Sequence, residues 1–103
     1  MAKDGDRSAM VDMTMMDYFA EARSLRLRKE KDYGSSWRAL GAKGIFVRIT
    51  DKVKRLQSLL WEGNVQQVLD EKVDDTALDL VNYALFLLYC LRNKMVDRDN
   101  PEA

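Results

Sequence analysis

DTALDLVNYALFLLYCL, residues 75–91, is the stretch on which the fold turns. From Leu78 to Leu91 it is apolar nearly all round, too long for one strand and without the alternation of a half-buried one. It reads as a helix from about Asp74 to Asn93, with Asp74 as N-cap, and as the central, most buried helix of a bundle. Asp79, Asn82 and Tyr83 interrupt it, so it is too short and too polar to span a bilayer.

Working outward, Ile45, Ile49, Val53, Leu56 and Leu60 lie at offsets 0, 4, 8, 11 and 15, an amphipathic second helix that begins after Gly44 and ends at Gly63 and Asn64. Earlier still, Met15, Tyr18, Phe19, Ala22 and Leu25 give one apolar stripe on a first helix from roughly Met13 to Asp32, capped by Thr14 or Asp12. Residues 65–71 are expected to add a short helical turn. The expected fold is therefore all-α, a small bundle of three long helices and a short one. A single domain over 11–95 lies between polar, frayed ends at 1–10 and 96–103.

The whole chain of 103 residues is 47% hydrophobic and 33% charged with one proline, which excludes a disordered tail and leaves a modest core that partner subunits would help. MAKDGDRSAM has no apolar signal-peptide core, so a cytoplasmic location is expected, with no membrane partner. There is no histidine, which rules out histidine triads and histidine zinc sites. Cys90 is the sole cysteine and sits in the apolar run, where a buried, inert thiol is expected.

Formal charge is zero, but it is unevenly spread. Residues 22–56 carry eleven Lys or Arg against Glu30, Asp32 and Asp51, net +8, whereas 57–91 carry six acids against Lys72, net −5. Either these segments face each other or solvent, or the first holds an anion and the second a cation. Because no groove-reading motif accompanies the basic residues, nucleic acid is not the expected partner.

Glu71, Asp75, Asp79 and Asn82, at offsets 0, 4, 8 and 11, draw an oxygen-rich line down the third helix. Asp79 and Asn82 lie inside the apolar stretch, where an unpaired carboxylate costs several kcal/mol, so each needs a partner. One possibility is an ion-pair seam with the basic ridge of Arg48, Lys52 and Arg55, spaced 0, 4 and 7 on the second helix. The other is a magnesium site, with Glu71, Asp75 and Asp79 as metal ligands and Asp75 and Asp79 as catalytic carboxylates. On the first helix Asp17, Glu21, Arg28 and Asp32 share a face.

Between the first two helices, Asp32-Tyr33-Gly34-Ser35-Ser36-Trp37 offers backbone N–H groups and hydroxyls to a phosphate and aromatic faces to a base. Equally, Gly34 could be a helix cap, Trp37 a plug in the end of the bundle, and Gly41 and Gly44 turn punctuation.

The strings KEKDYGSSWRALG, FVRITDKVKRL and DEKVDDTALDLVNYA resemble the nucleotide modification associated domain, a family found in phages and prophages near thymidylate-synthesis genes. That family is similar to the MazG-like all-α nucleoside triphosphate pyrophosphatases. The resemblance implies nucleotide contacts from Lys29, Asp32, Tyr33, Gly34, Ser35, Trp37, Arg48, Lys52, Arg55 and Asn82. It also implies a magnesium cofactor and a homo-oligomer, dimer or tetramer. Where the pyrophosphatases carry Glu-x-x-Glu and Glu-x-x-Asp pairs, this chain has Asp75 and Asp79 four apart and a basic ridge, leaving Asp17 and Glu21 to replace the second pair. Three functions follow: a magnesium-dependent pyrophosphohydrolase, a non-catalytic nucleotide-binding or sequestering protein, or a structural oligomerisation module.

Overall fold

The computed structural model describes residues 4–33, 36–62 and 71–97, with side chains over 7–30, 37–62 and 73–97. The apolar run forms α1's and α2's common support, a 22-residue helix, Glu71–Arg92. Here α1 is Asp4–Tyr33, α2 is Gly41–Gln57 and the run itself is α3. A 3-10 helix, Ser36–Leu40, leads into α2, and a π-helical turn, Ser58–Glu62, continues it. All the described regular structure is helical. No helix among the described residues is long and apolar enough to cross a membrane. The short turn expected at 65–71 falls, but for Glu71, outside the described residues.

Burial on α3 differs from expectation. The helix packs chiefly on α2 and also on α1, burying Val73, Thr76, Asn82 and Cys90. Val81, Leu88 and Leu91 remain exposed, because two partner helices cannot surround an all-apolar cylinder. The core is correspondingly small: Ala42, Ile45, Cys90 and Met95 are buried, with Trp37, Leu40, Ile49, Tyr83, Phe86 and Leu87 packed against them. Cys90 is buried as expected. Of the α2 stripe, Ile45 is fully buried while Val53 and Leu60 are about half exposed.

The end of α3 and the start of α2 are locked together. Met95 N–H donates to Cys90 O at 2.8 Å and Lys94 N–H to Leu91 O at 3.4 Å, a Schellman cap with Lys94 in the left-handed region at φ 57°. That turn delivers the next carbonyls to α2. Ala42 N–H donates to Met95 O and Lys43 N–H to Val96 O, each at 2.8 Å, so two of the helix's orphan donors are satisfied by backbone where no side chain caps it. Val96 is thus tied to the start of α2 through its backbone carbonyl.

Both glycines of GAKG have structural roles. Gly41, at φ 68°, makes the left-handed step from the 3-10 helix into α2. A Cβ at Gly44 would lie 2.8 Å from Leu40 Cβ, so only glycine lets the preceding turn fold back this closely.

The first helix starts at Asp4 and not near Met13. Nothing in residues 7–12 breaks a helix. At 30 residues it is about 45 Å long. From Arg7 to Glu21 every residue is exposed, while Ala22 is fully buried against α3. The first half is therefore an arm. The radius of gyration, 16.5 Å, exceeds the roughly 13 Å of a compact chain of this length.

Candidate functional site

The three helices meet electrostatically at one carboxylate. Asp79, only 13% exposed, receives Lys29 Nζ of α1 on Oδ1 at 2.7 Å and Lys52 Nζ of α2 on Oδ2 at 3.3 Å. The penalty for a carboxylate in an apolar run is met by two ammonium groups from two other helices. One negative and two positive charges leave this junction with a surplus cation. Arg48 and Arg55, exposed one turn to either side of Lys52 on α2, extend it. The seam expected between Asp79 and the basic ridge is present through Lys52; the contribution of Lys29, fifty residues from Asp79, had no signal in the spacing.

One turn further along α3, Asn82 is buried. Its Nδ2 donates to Ala22 O at 2.9 Å, fixing α1 to α3 where the arm begins. Its Oδ1 is buried with no donor among the described residues. Such an acceptor costs about 1–3 kcal/mol.

Trp37, from the 3-10 helix, stacks on Phe86 with centroids 4.4 Å apart and planes 7° from parallel, and meets Tyr89 edge-on at 5.4 Å. One indole face is therefore occupied by the protein, as a plug would be. Its surroundings nevertheless include an open cavity of about 280 Å³, lined by Trp37 with Arg26, Leu27 and Glu30 of α1 and Leu85, Phe86 and Tyr89 of α3. Glu30 of the slot directly follows Lys29 on α1. Sequence spacing did not reveal Arg26, Glu30 or Leu85 as wall residues, because two crossing helices and a 3-10 turn create the wall together.

On the other side of the junction, Asp17, Glu21 and Arg28 of α1 and Asp74 and Asp75 of α3 line an open cavity of about 440 Å³. Asp75 stands one turn before Asp79. The donors are hard oxygens on two facing helices, the chemistry magnesium favours. No three carboxylates among the described residues are grouped closely enough to hold one ion as they stand. The structure thus brings Lys29, Lys52 and Asp79 together with Asn82 one turn on, while Trp37 packs on Phe86 two turns beyond Asp79 and Asp75 lines the acidic cavity. Gly34 and Ser35 lie outside the described residues, as do the side chains of Asp32, Tyr33 and Glu71.

In comparison with known families, the model described as nucleotide modification associated domain 1 fits residues 29–91. No curated protein and no solved structure matches the chain. The matched stretch opens at Lys29 and includes Trp37, Lys52, Asp79 and Asn82; Asp17 and Glu21 lie before it.

Proposed function

Because the chain belongs to the nucleotide modification associated domain 1 family, we propose that its three-helix junction binds a nucleoside polyphosphate and, with magnesium, hydrolyses it to the monophosphate and pyrophosphate. The observation that carries this reading is the surplus positive charge where Lys29 and Lys52 converge on Asp79. Phosphates placed over the two lysines and reached by Arg48 and Arg55 meet cations on two helices. The base would occupy the slot beside Trp37, against its unstacked surface.

Asp75 would hold the magnesium together with the nucleotide's own phosphates, and the ion when bound supplies charge neutralisation and an activated water. Asp79 has another role in this arrangement. Held by two lysines, it fixes the phosphate-binding cations in place. The test is incubation of the chain with each common ribo- and deoxynucleoside triphosphate and magnesium, followed by phosphorus NMR. Release of pyrophosphate from at least one nucleotide, lost in Asp75→Asn, supports the activity; intact triphosphates throughout refute it.

A second reading, binding without hydrolysis, is favoured by the same ion triad, since the carboxylate at its centre is committed to lysines. It expects thermal stabilisation by nucleotide that persists when magnesium is chelated.

A further inference from the structure

The slot beside Trp37 carries a polar pair that the phosphate contacts do not use. Arg26 and Glu30 stand four residues apart on one face of α1, and both line the cavity of about 280 Å³. Among the described residues, neither side chain is engaged in an ion pair. A basic residue one turn before an acidic one is also the less favourable order along a helix, so joining the two locally gains little. The slot therefore presents a guanidinium fork and a carboxylate beside the rings of Trp37, Phe86 and Tyr89, with Tyr89 45% exposed.

We propose that this slot selects guanine, so that the nucleoside polyphosphate of the proposed function, on which this inference rests, is a guanine nucleotide. A carboxylate only accepts, and its two oxygens match two adjacent N–H groups. A guanidinium only donates, and its fork matches two adjacent acceptors. Guanine carries both pairs, N1–H with the 2-amino group on one edge and O6 with N7 on the next. Adenine and cytosine each set an amino group beside an acceptor lone pair, so a carboxylate gains one hydrogen bond and turns its other oxygen to that lone pair. Thymine and uracil have a single N–H between two carbonyls.

The cavity has room for a bicyclic base against its aromatic wall. Stacking there is tolerant of base identity, so the choice among bases falls to Arg26 and Glu30. The slot also lies at a suitable distance from the cations. Phe86 follows Asp79 by two turns on the same side of α3, roughly 10 Å along its axis, a span that a ribose and its first phosphate cover. On α1, Lys29 falls between Arg26 and Glu30 in the chain.

Calorimetric titration with the α–β methylene triphosphates of guanosine, inosine, adenosine, cytidine and uridine tests the proposal. The wild-type chain should bind the guanosine analogue roughly tenfold or more tightly than those of adenosine, cytidine and uridine. Inosine, which lacks the 2-amino group, should lose about tenfold against guanosine. Glu30→Gln keeps the side chain's shape but offers one acceptor where the carboxylate offers two, and should bring guanosine to within about threefold of the others. The ratio between bases is the measure, because removing a negative charge next to Lys29 strengthens every triphosphate alike. Glu30 is exposed, so this variant should unfold at the wild-type temperature. Equal affinity for all five analogues, preference for another base, or a guanine preference that survives in Glu30→Gln overturns the base assignment and leaves polyphosphate binding standing. Saturable binding of none of them overturns both.

Discussion

Replacing Asp79 by asparagine removes one charge and almost no volume from the point where three helices meet. In the wild-type chain the carboxylate is 13% exposed and its partners, Lys29 and Lys52, are 51% and 29% exposed. Two unit charges 4 Å apart interact by about 4 kcal/mol at an effective dielectric near 20, before desolvation is subtracted. Lys29 keeps half its contact with water, so its pair is worth ~0.5–1 kcal/mol; the Lys52 pair, better shielded, about 1–1.5 kcal/mol. Asparagine retains one acceptor oxygen for one lysine, leaving a net loss of about 1.5 kcal/mol. For a chain of this size that is a fall in Tm of roughly 6–12 °C. Thermal unfolding followed by far-UV circular dichroism measures it. A shift within about 2 °C of wild type, below ~0.5 kcal/mol on the same scale, would refute a shielded ion triad. The same variant separates two roles for Asp79. As the lysines' anchor, its loss frees two ammonium groups and nucleotide binding should strengthen or hold; as a metal ligand, its loss should abolish magnesium-dependent turnover with little change in stability.

Three further substitutions test the frame around the site. Lys94→Gly relieves a left-handed lysine at φ 57° and should raise stability by about 0.5–1 kcal/mol in urea unfolding; a lower midpoint would contradict the Schellman cap. Gly44→Ala, which in an open helix would stabilise by up to ~1 kcal/mol, should instead destabilise by about 1–2 kcal/mol because the new Cβ meets Leu40 Cβ at 2.8 Å. Trp37→Ala should cost about 2–4 kcal/mol and abolish the near-UV signal of the indole stacked on Phe86, whereas an unchanged stability would mean that the ring is not packed as described.

Periodicity carried the fold a long way. The apolar run at 75–91 and the 4-4-3-4 spacing behind Ile45 place α3 and α2, because helical burial writes itself into residue spacing. The need of Asp79 for a partner was legible too, as a charge in an apolar run, and Lys52 was among the partners that spacing offered. Lys29 was not: it comes to Asp79 through the crossing of α1 and α3, and nothing in local sequence encodes a crossing angle. The capping of α2 by Met95 and Val96 was equally hidden, because backbone carbonyls do the work and leave no side-chain signature. Lys94 gave no hint of a left-handed turn, a position where glycine would have announced it. The start of α1 was misplaced by some nine residues because its arm lacks a buried stripe, and burial is what the eye follows. In the site, Trp37 was expected either to stack on a base or to plug the bundle; its contacts with Phe86 and Tyr89 give the plug, and an open cavity adjoins it.

The central claim, that a nucleoside polyphosphate binds where Lys29 and Lys52 meet, is tested most directly by calorimetric titration with a deoxynucleoside triphosphate analogue whose α–β bridge is methylene. The comparison chain is the triple variant Lys29→Met, Lys52→Met, Asp79→Leu, in which the ion triad is replaced as a whole and no charge is stranded. The wild-type chain should bind saturably at one site per chain, and the triple variant at least tenfold more weakly, about 1.4 kcal/mol, while remaining folded. Equal affinity in the two chains, or no saturable heat from the wild-type chain, would contradict the account.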